Sequence, residues 1–371
     1  MDYALMEICR YFAAARPRGT PLVLATVLRT EGSTYRKRGA SILIGADGSS
    51  SGMLSGGCLE ADLRERAARV IRNNRAERVW FDTRDGDDPV FGLGLGCEGA
   101  MDVWLQPLTP AAGYGALHYM TRCLETERAG CIVTVVGGDA RADELGRQVH
   151  SDETPGVATP GVATPGVATP GDDDALGAVL RSCLTGVATP SAALLRAVPF
   201  DGRSLEAFLA PVELPPSLLL CGAGPDAIPV YGFAAALGWR VTVYDHRPAY
   251  AERSFFPDAT RVVLGRPGEL GENLKPEQFD AAVIMSHHLP SDIEYLRLLC
   301  ASPPRFIGVL GPPSRRQRLF AEVGDAASRI ASRIHGPVGL DIGAGTPESI
   351  ALAIVAQVHA VLAGRPGGAF G

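Results

Sequence analysis

The 371-residue chain has no closely spaced cysteine pair, no His-Glu-x-x-His motif, no surplus of positive charge and no long uncharged apolar run. Its eight cysteines are spread singly and none falls in a Cys-x-x-Cys pairing. That excludes a disulfide frame and a paired-cysteine zinc site, and the thiols read as free, in a reducing compartment. The scattered histidines exclude the helical zinc-hydrolase pattern. Asp plus Glu (41) outnumber Lys plus Arg (35), for a formal charge of −6, whereas nucleic-acid-binding domains carry the opposite surplus. A membrane-spanning helix needs about 18 or more apolar residues without charge. The opening residues carry an acid at Asp2 and no basic region before an apolar core, so they do not read as a signal peptide. The expectation is a cytoplasmic protein with no nucleic-acid partner and no stable membrane insertion.

What the chain does have is apolar mass. Hydrophobic residues make up 46% and 44 glycines come on top, enough for large cores, and the length predicts two or three domains. Residues 1–110 alternate short strand-like and helix-like segments and predict an N-terminal α/β module. Helical spacing of Leu59, Leu63, Ala67 and Val70 predicts a helix over 58–74. Residues 111–214 form a less regular intermediate region. Within it the unit Gly-Val-Ala-Thr-Pro recurs at 156–160, 161–165 and 166–170, with a displaced copy at 186–190. A proline every fifth residue breaks helices and strands alike, so 151–174 reads as a flexible insertion without a chemical role. From Pro215 to 365, buried-strand runs alternate with helices. That predicts a Rossmann-like, mostly parallel sheet with helices on both faces, ahead of a tail at 366–371.

Residues 222–227, Gly-Ala-Gly-Pro-Asp-Ala, fit the glycine-rich turn of a dinucleotide site, and Asp245 ends the next strand where an acid would take a ribose hydroxyl. Two readings stand side by side here: a phosphorylated-cofactor site, or a Rossmann-type unit without one. Arg247 follows as a phosphate partner or a solvated cation. Ser286-His287-His288 ends a later strand, with Asp292 five residues after His287, where open α/β sheets bind ligands. Arg315 and Arg316 open a helix, an unfavourable place for cations unless an anion binds there. Asp341 stands among glycines 339, 343 and 345, which suggests close backbone approach to a ligand. Thr346 and Pro347 read as helix N-cap and first helical residue.

Two cysteines differ from the other six. Cys58 follows Ser55-Gly56-Gly57 at a helix start, which stabilises a thiolate. Cys97 lies in Gly94-Leu95-Gly96-Cys97-Glu98-Gly99, with glycines on both sides. Each can contact a cofactor or handle sulfur, or can simply fill a tight turn. Glu31, Glu60 and Glu98 nearby read as acid–base candidates, or as solvated or capping residues. The other cysteines sit in apolar patterns and predict core packing.

Taken together these segments resemble the XdhC/CoxI family of accessory proteins for molybdenum hydroxylases. The resemblance rests on Gly32-Ser33-Thr34-Tyr35-Arg36, on the 55–60 and 94–99 segments, and on 245–248, 286–292, 308–315 and 337–344. It covers roughly 20–110 and 215–365. It departs from the family pattern at Pro225-Asp226, where His-Val is common, at Ser286, which replaces a threonine, and at Glu98. The resemblance implies a carrier rather than a turnover enzyme. Such a carrier binds a molybdopterin-type molybdenum cofactor and supports its sulfuration by a cysteine desulfurase. It then delivers the cofactor to the large subunit of a xanthine dehydrogenase or CO dehydrogenase type hydroxylase. The implied cofactor contacts are Ser33, Arg36, Gly56, Gly57, Gly222, Gly224, Asp245, Arg247, His287, Asp292, Arg315, Arg316 and Asp341, with Cys58 or Cys97 at the metal. A homodimer is also implied. The alternative is an NAD(P)-dependent oxidoreductase built on the Rossmann-like domain.

Overall fold

The computed structural model describes residues 4–57, 59–82, 84, 99–151, 175–184 and 192–369. Cys58, Cys97, Glu98 and the consecutive pentapeptide repeats lie outside the described residues. The chain divides into two compact units, Asp2–Leu214 and Pro215–Gly371.

The first unit is α/β in content, with antiparallel sheets. Strands β1 (Leu22–Gly32), β2 (Ser41–Gly45), β3 (Ser50–Gly52), β4 (Glu77–Asp82) and β5 (Gly99–Leu108) form one sheet in the order β3-β2-β1-β5-β4. β2 and β3 are joined through the Asp47-Gly48 turn that the sequence predicts, Gly48 having φ +79°. Helix α1 (Ala4–Ala15) buries Leu5, Ile8 and Phe12. Helix α2 (Glu60–Asn73) buries Leu63, Ala67 and Val70 in one core with Val23, Ile42 and Val103 of the sheet. A second sheet holds β6 (Gly130–Gly138), β7 (Gln148–His150), β8 (Leu194–Phe200) and β9 (Arg203–Val212) in the order β7-β6-β9-β8. Helices α3 (Gly115–Glu125) and α4 (Ala175–Ser182) complete the unit. Residues 111–214, expected as an intermediate region, thus contribute a sheet of their own. They share a core with the first hundred residues, where Phe12, Leu24 and Leu43 pack with Leu117, Ile132 and Val212. Arg78 of β4 ties the two sheets together, donating to Asp102 of β5 and to Glu206 of β9.

The second unit is one parallel sheet of β10 (Ser217–Cys221), β11 (Arg240–Asp245), β12 (Arg261–Leu264), β13 (Ala281–Ile284), β14 (Phe306–Val309) and β15 (Ile334–His335). Their order is β12-β11-β10-β13-β14-β15. Every residue of β10, β13 and β14 is buried, as a sheet covered on both faces requires. Leu219, Cys221, Ile284 and Ile307 share a core with α7 (Leu289–Ala301), α8 (Pro313–Val323) and α9 (Asp325–Arg329), and short α6 (Leu270–Asn273) joins them. Leu218 and Leu220 point the other way by strand alternation and are also fully buried. On that side α5 (Ala227–Ala236) and α10 (Pro347–Leu362) pack on each other and against the sheet. Pro229 falls in the first turn of α5, where its missing N–H costs nothing. Thr346 caps α10 by accepting from Ser349 N–H, with Pro347 as first helical residue.

Candidate functional site

In the first unit, segments read separately in the sequence meet at one end of the first sheet. Gly32 closes β1 opposite Gly99, the first residue of β5. A methyl group on Gly99 would lie 2.3 Å from the Ser33 carbonyl oxygen, so only glycine lets the 33–36 loop cross there. Exposed Tyr35 lies over the next loop, its ring 3.8 Å from where a Cβ on Gly56 would stand. Gly56 and Gly57 have φ +77° and +122°, which side-chain-bearing residues rarely adopt.

Glu60, one of three acid–base or capping candidates in the sequence, is the residue that organises this loop. It is buried, and its carboxylate accepts from the backbone N–H groups of Leu54 (3.1 Å), Ser55 (2.9 Å) and Gly57 (2.9 Å) and from the Ser55 hydroxyl. Ser55 Oγ in turn accepts from Leu59 N–H at 2.8 Å. Burial pushes the Glu60 carboxyl up, but the donors on Ser55 and Leu54 outweigh it and hold the group below its ordinary value. Glu60 therefore fixes the loop shape and is not placed to exchange protons with solvent. This also starts α2 at residue 60 rather than 58, because the carboxylate turns back to satisfy loop donors. Glu31 is exposed and pairs with Arg84. Ser33 is exposed, and the carbonyl of half-buried Arg36 accepts from Thr34 Oγ1 at 2.9 Å.

In the second unit, the sheet order reverses direction between β10 and β13, which makes their C-terminal ends the switch point where such sheets bind ligands. Gly222 has φ +122°, and a methyl there would stand 2.6 Å from the Met285 carbonyl oxygen at the exit of β13. The glycine turn and the 285–288 turn are thereby held against each other. Asp226 and His287 join across them, Oδ2 to Nε2, at 2.7 Å.

Two buried carboxylates flank this junction, each already satisfied. Asp245 accepts from Ala223 N–H (2.7 Å) and from Arg247, through its backbone N–H (2.9 Å), Nε (3.0 Å) and Nη2 (2.7 Å). Burial raises the Asp245 carboxyl, but the Arg247 guanidinium and these N–H groups bring it below its ordinary value. Asp292 accepts from Arg315 Nε at 3.0 Å, from Arg315 Nη2, and from Ser286 Oγ. Two expectations are revised by this geometry. Arg247 and Arg315 are neutralised by the protein's own acids, because a buried carboxylate needs a cation or donors close by. Arg316 differs: its stem passes Gly336, its guanidinium lies 4.4 Å over the Phe320 ring, and its Nε has no hydrogen-bond partner among the described residues. Asp341 is exposed in the irregular segment before α10.

Cys9, Cys123, Cys131, Cys183 and Cys221 are buried, matching their apolar settings, and Cys300 is half-buried. Burial pushes the Cys9, Cys131 and Cys300 thiols up to about 11, and Cys221 further. These are packing thiols. Among the described residues, no His, Cys, Asp or Glu cluster is gathered for a metal, and no helix is long and apolar enough to cross a membrane.

Both units match known families. Residues 15–82 match the model described as the XdhC and CoxI family, and residues 218–358 match the XdhC Rossmann domain. A Bacillus subtilis relative, named as a probable component of xanthine dehydrogenase, is 31% identical over 338 residues, 91% of this chain and 92% of that protein. The chain belongs to the XdhC and CoxI family. Another relative, the molybdenum cofactor insertion chaperone PaoD of Escherichia coli, is 29% identical over 104 residues, 28% of this chain and 32% of that protein. A crystal structure of a xanthine dehydrogenase from Bacillus halodurans superposes with a TM-score of 0.74 at 27% identity, covering 97% of this chain and 96% of that one. Within this XdhC and CoxI family chain, the Ser33 and Glu60 loops fall in the first match, and the Gly222, His287 and Asp341 segments fall in the Rossmann match.

Proposed function

We propose that the chain is an accessory protein in the maturation of a molybdenum hydroxylase of the xanthine dehydrogenase or CO dehydrogenase type. In this reading it binds the molybdenum cofactor as cargo, supports its sulfuration by a cysteine desulfurase, and passes it to the client's large subunit. The names of the Bacillus subtilis and Escherichia coli relatives support the xanthine dehydrogenase and cofactor-insertion parts. The observation that carries the reading against a dinucleotide enzyme is the state of Asp245. The acid that should take a ribose hydroxyl is 1% exposed and bound by Ala223 N–H and Arg247.

The residues suit such cargo in kind. A pterin carries a phosphate, and Arg316, at the start of α8, is a half-buried cation with no carboxylate partner among the described residues. The metal end takes soft ligands, the chemistry of Cys58 or Cys97. Exposed Tyr35, in the Ser33–Arg36 segment beside Gly56, gives a flat face for a heteroaromatic ring.

A xanthine dehydrogenase type client co-expressed with and without this chain tests the proposal. The client made without it is expected to fold but to hold little sulfurated cofactor, with activity restored by adding the chain. Equal cofactor content and activity in both preparations would contradict the role. Titration of the chain with NADH is expected to leave nicotinamide fluorescence unchanged, and enhancement would favour the oxidoreductase alternative.

A further inference from the structure

The glycine turn of the second unit has the spacing of a phosphate cradle but has spent most of its donors. Gly222 N–H goes to the Tyr244 carbonyl at 2.9 Å, Ala223 N–H to Asp245 at 2.7 Å, and Ala227 N–H to the Gly224 carbonyl at 2.9 Å. Pro225 has no N–H to give. Gly224 is the second glycine of the turn, the place where the backbone of a dinucleotide site comes close to the diphosphate. Here that place is covered from within. A methyl on Gly224 would stand 2.8 Å from Asp226 Oδ1, so the carboxylate folds back over the glycine.

The carboxylate is not engaged in capping. Asp226 occupies the N-cap position of α5, yet its side chain accepts no helix N–H. Its other oxygen reaches His287 Nε2 at 2.7 Å. His287 stands on the neighbouring turn with φ +59°, a conformation uncommon for residues other than glycine. Two turns from opposite sides of the switch point thus hold one anion, supplied by the protein, over the start of α5.

We propose that Asp226 is a specificity-determining residue that keeps nucleotide phosphates off this turn, its carboxylate standing where the phosphate would and His287 fastening it. A phosphate arriving there meets a like charge at close range, and too few free N–H groups to offset the repulsion. This inference concerns what the Rossmann unit refuses and does not depend on the accessory role.

Calorimetric titration of the full chain with ADP, and separately with inorganic pyrophosphate, tests it at low ionic strength. Three proteins are compared: wild type, Asp226→Asn, and the double variant Pro225→Ala/Asp226→Ser. The Asn variant removes the charge and keeps a hydrogen-bonding group for His287. The double variant also restores a backbone N–H. Wild type is expected to bind neither probe measurably. Asp226→Asn is expected to bind ADP at least about tenfold more tightly than wild type, and the double variant more tightly still. A gain of binding cannot come from misfolding. ADP binding by wild type as tight as by the variants would overturn the proposal. So would three identical blank titrations from proteins whose circular dichroism and melting match.

Discussion

Asp292→Ala is expected to destabilise the second unit by about 3–5 kcal/mol, the usual result of removing one partner from a buried ion pair. The Asp292 side chain is 1% exposed and that of Arg315 is 22% exposed, so solvent replaces the lost carboxylate only in part. Its removal strands the guanidinium and leaves the Ser286 hydroxyl only the His288 carbonyl, at 3.3 Å, as acceptor. Asp292→Asn keeps the volume and an acceptor for Ser286, and is expected to lose less. The double variant Asp292→Ala/Arg315→Met is expected to recover part of the loss, because no buried charge then remains unpaired. Guanidinium denaturation measures all three. A loss below about 1 kcal/mol for Asp292→Ala, the range of exposed pairs, would mean that Arg315 is free in solution and available to an anion after all.

Glu60→Ala is expected to cost about 3 kcal/mol, since the buried donors on Leu54 and Ser55 and the more exposed one on Gly57 lose their common acceptor and each unsatisfied buried group is expensive. Glu60→Gln is expected to lose less, because an amide oxygen still accepts from some of these N–H groups while its nitrogen cannot. The pH dependence has a definite sign. The folded carboxyl lies below its unfolded value, so its contribution is complete above the unfolded carboxylate value of about 4.3 and disappears as pH falls through the lower folded value. The stability gap between wild type and Glu60→Gln should therefore stay level from neutral pH to about 5 and narrow below about 4. A gap that does not change with pH would mean that the fold leaves the carboxyl at its unfolded value, and one that widens as pH falls would mean that the loop holds it protonated.

Much of the second unit was legible in its sequence, because parallel strands buried on both faces write themselves as apolar runs such as 217–221 and 281–284. The first unit was harder to read. β1 and β5 pair with 22–32 against 99–108, and no periodicity names a partner that distant. The β8–β9 hairpin did carry a signal: Asp201 and Gly202, both with positive φ, form its two-residue turn. That turn lies in the region the sequence left least defined.

At the site, the positions were visible and the partners were not. Asp245 stands at the spacing of a ribose-binding acid, yet Arg247, two residues on, claims it. Arg315 at a helix start suggested an outside anion, but its counter-charge is Asp292, 23 residues earlier in the chain. Glu60 looked like one of three candidate acids, and only the fold shows it turned inward to hold a loop. Sequence patterns report which groups are available, whereas burial decides which groups must satisfy one another.

The proposed carriage of a molybdenum pterin to a client is open to direct test. The direct measurement is the molybdenum and pterin content of the chain purified without oxygen from a host that makes the cofactor. Both are expected in near-equal amounts, and both are expected to be lost from a folded Cys58→Ala/Cys97→Ala variant. Folded wild-type protein free of molybdenum and pterin would contradict it.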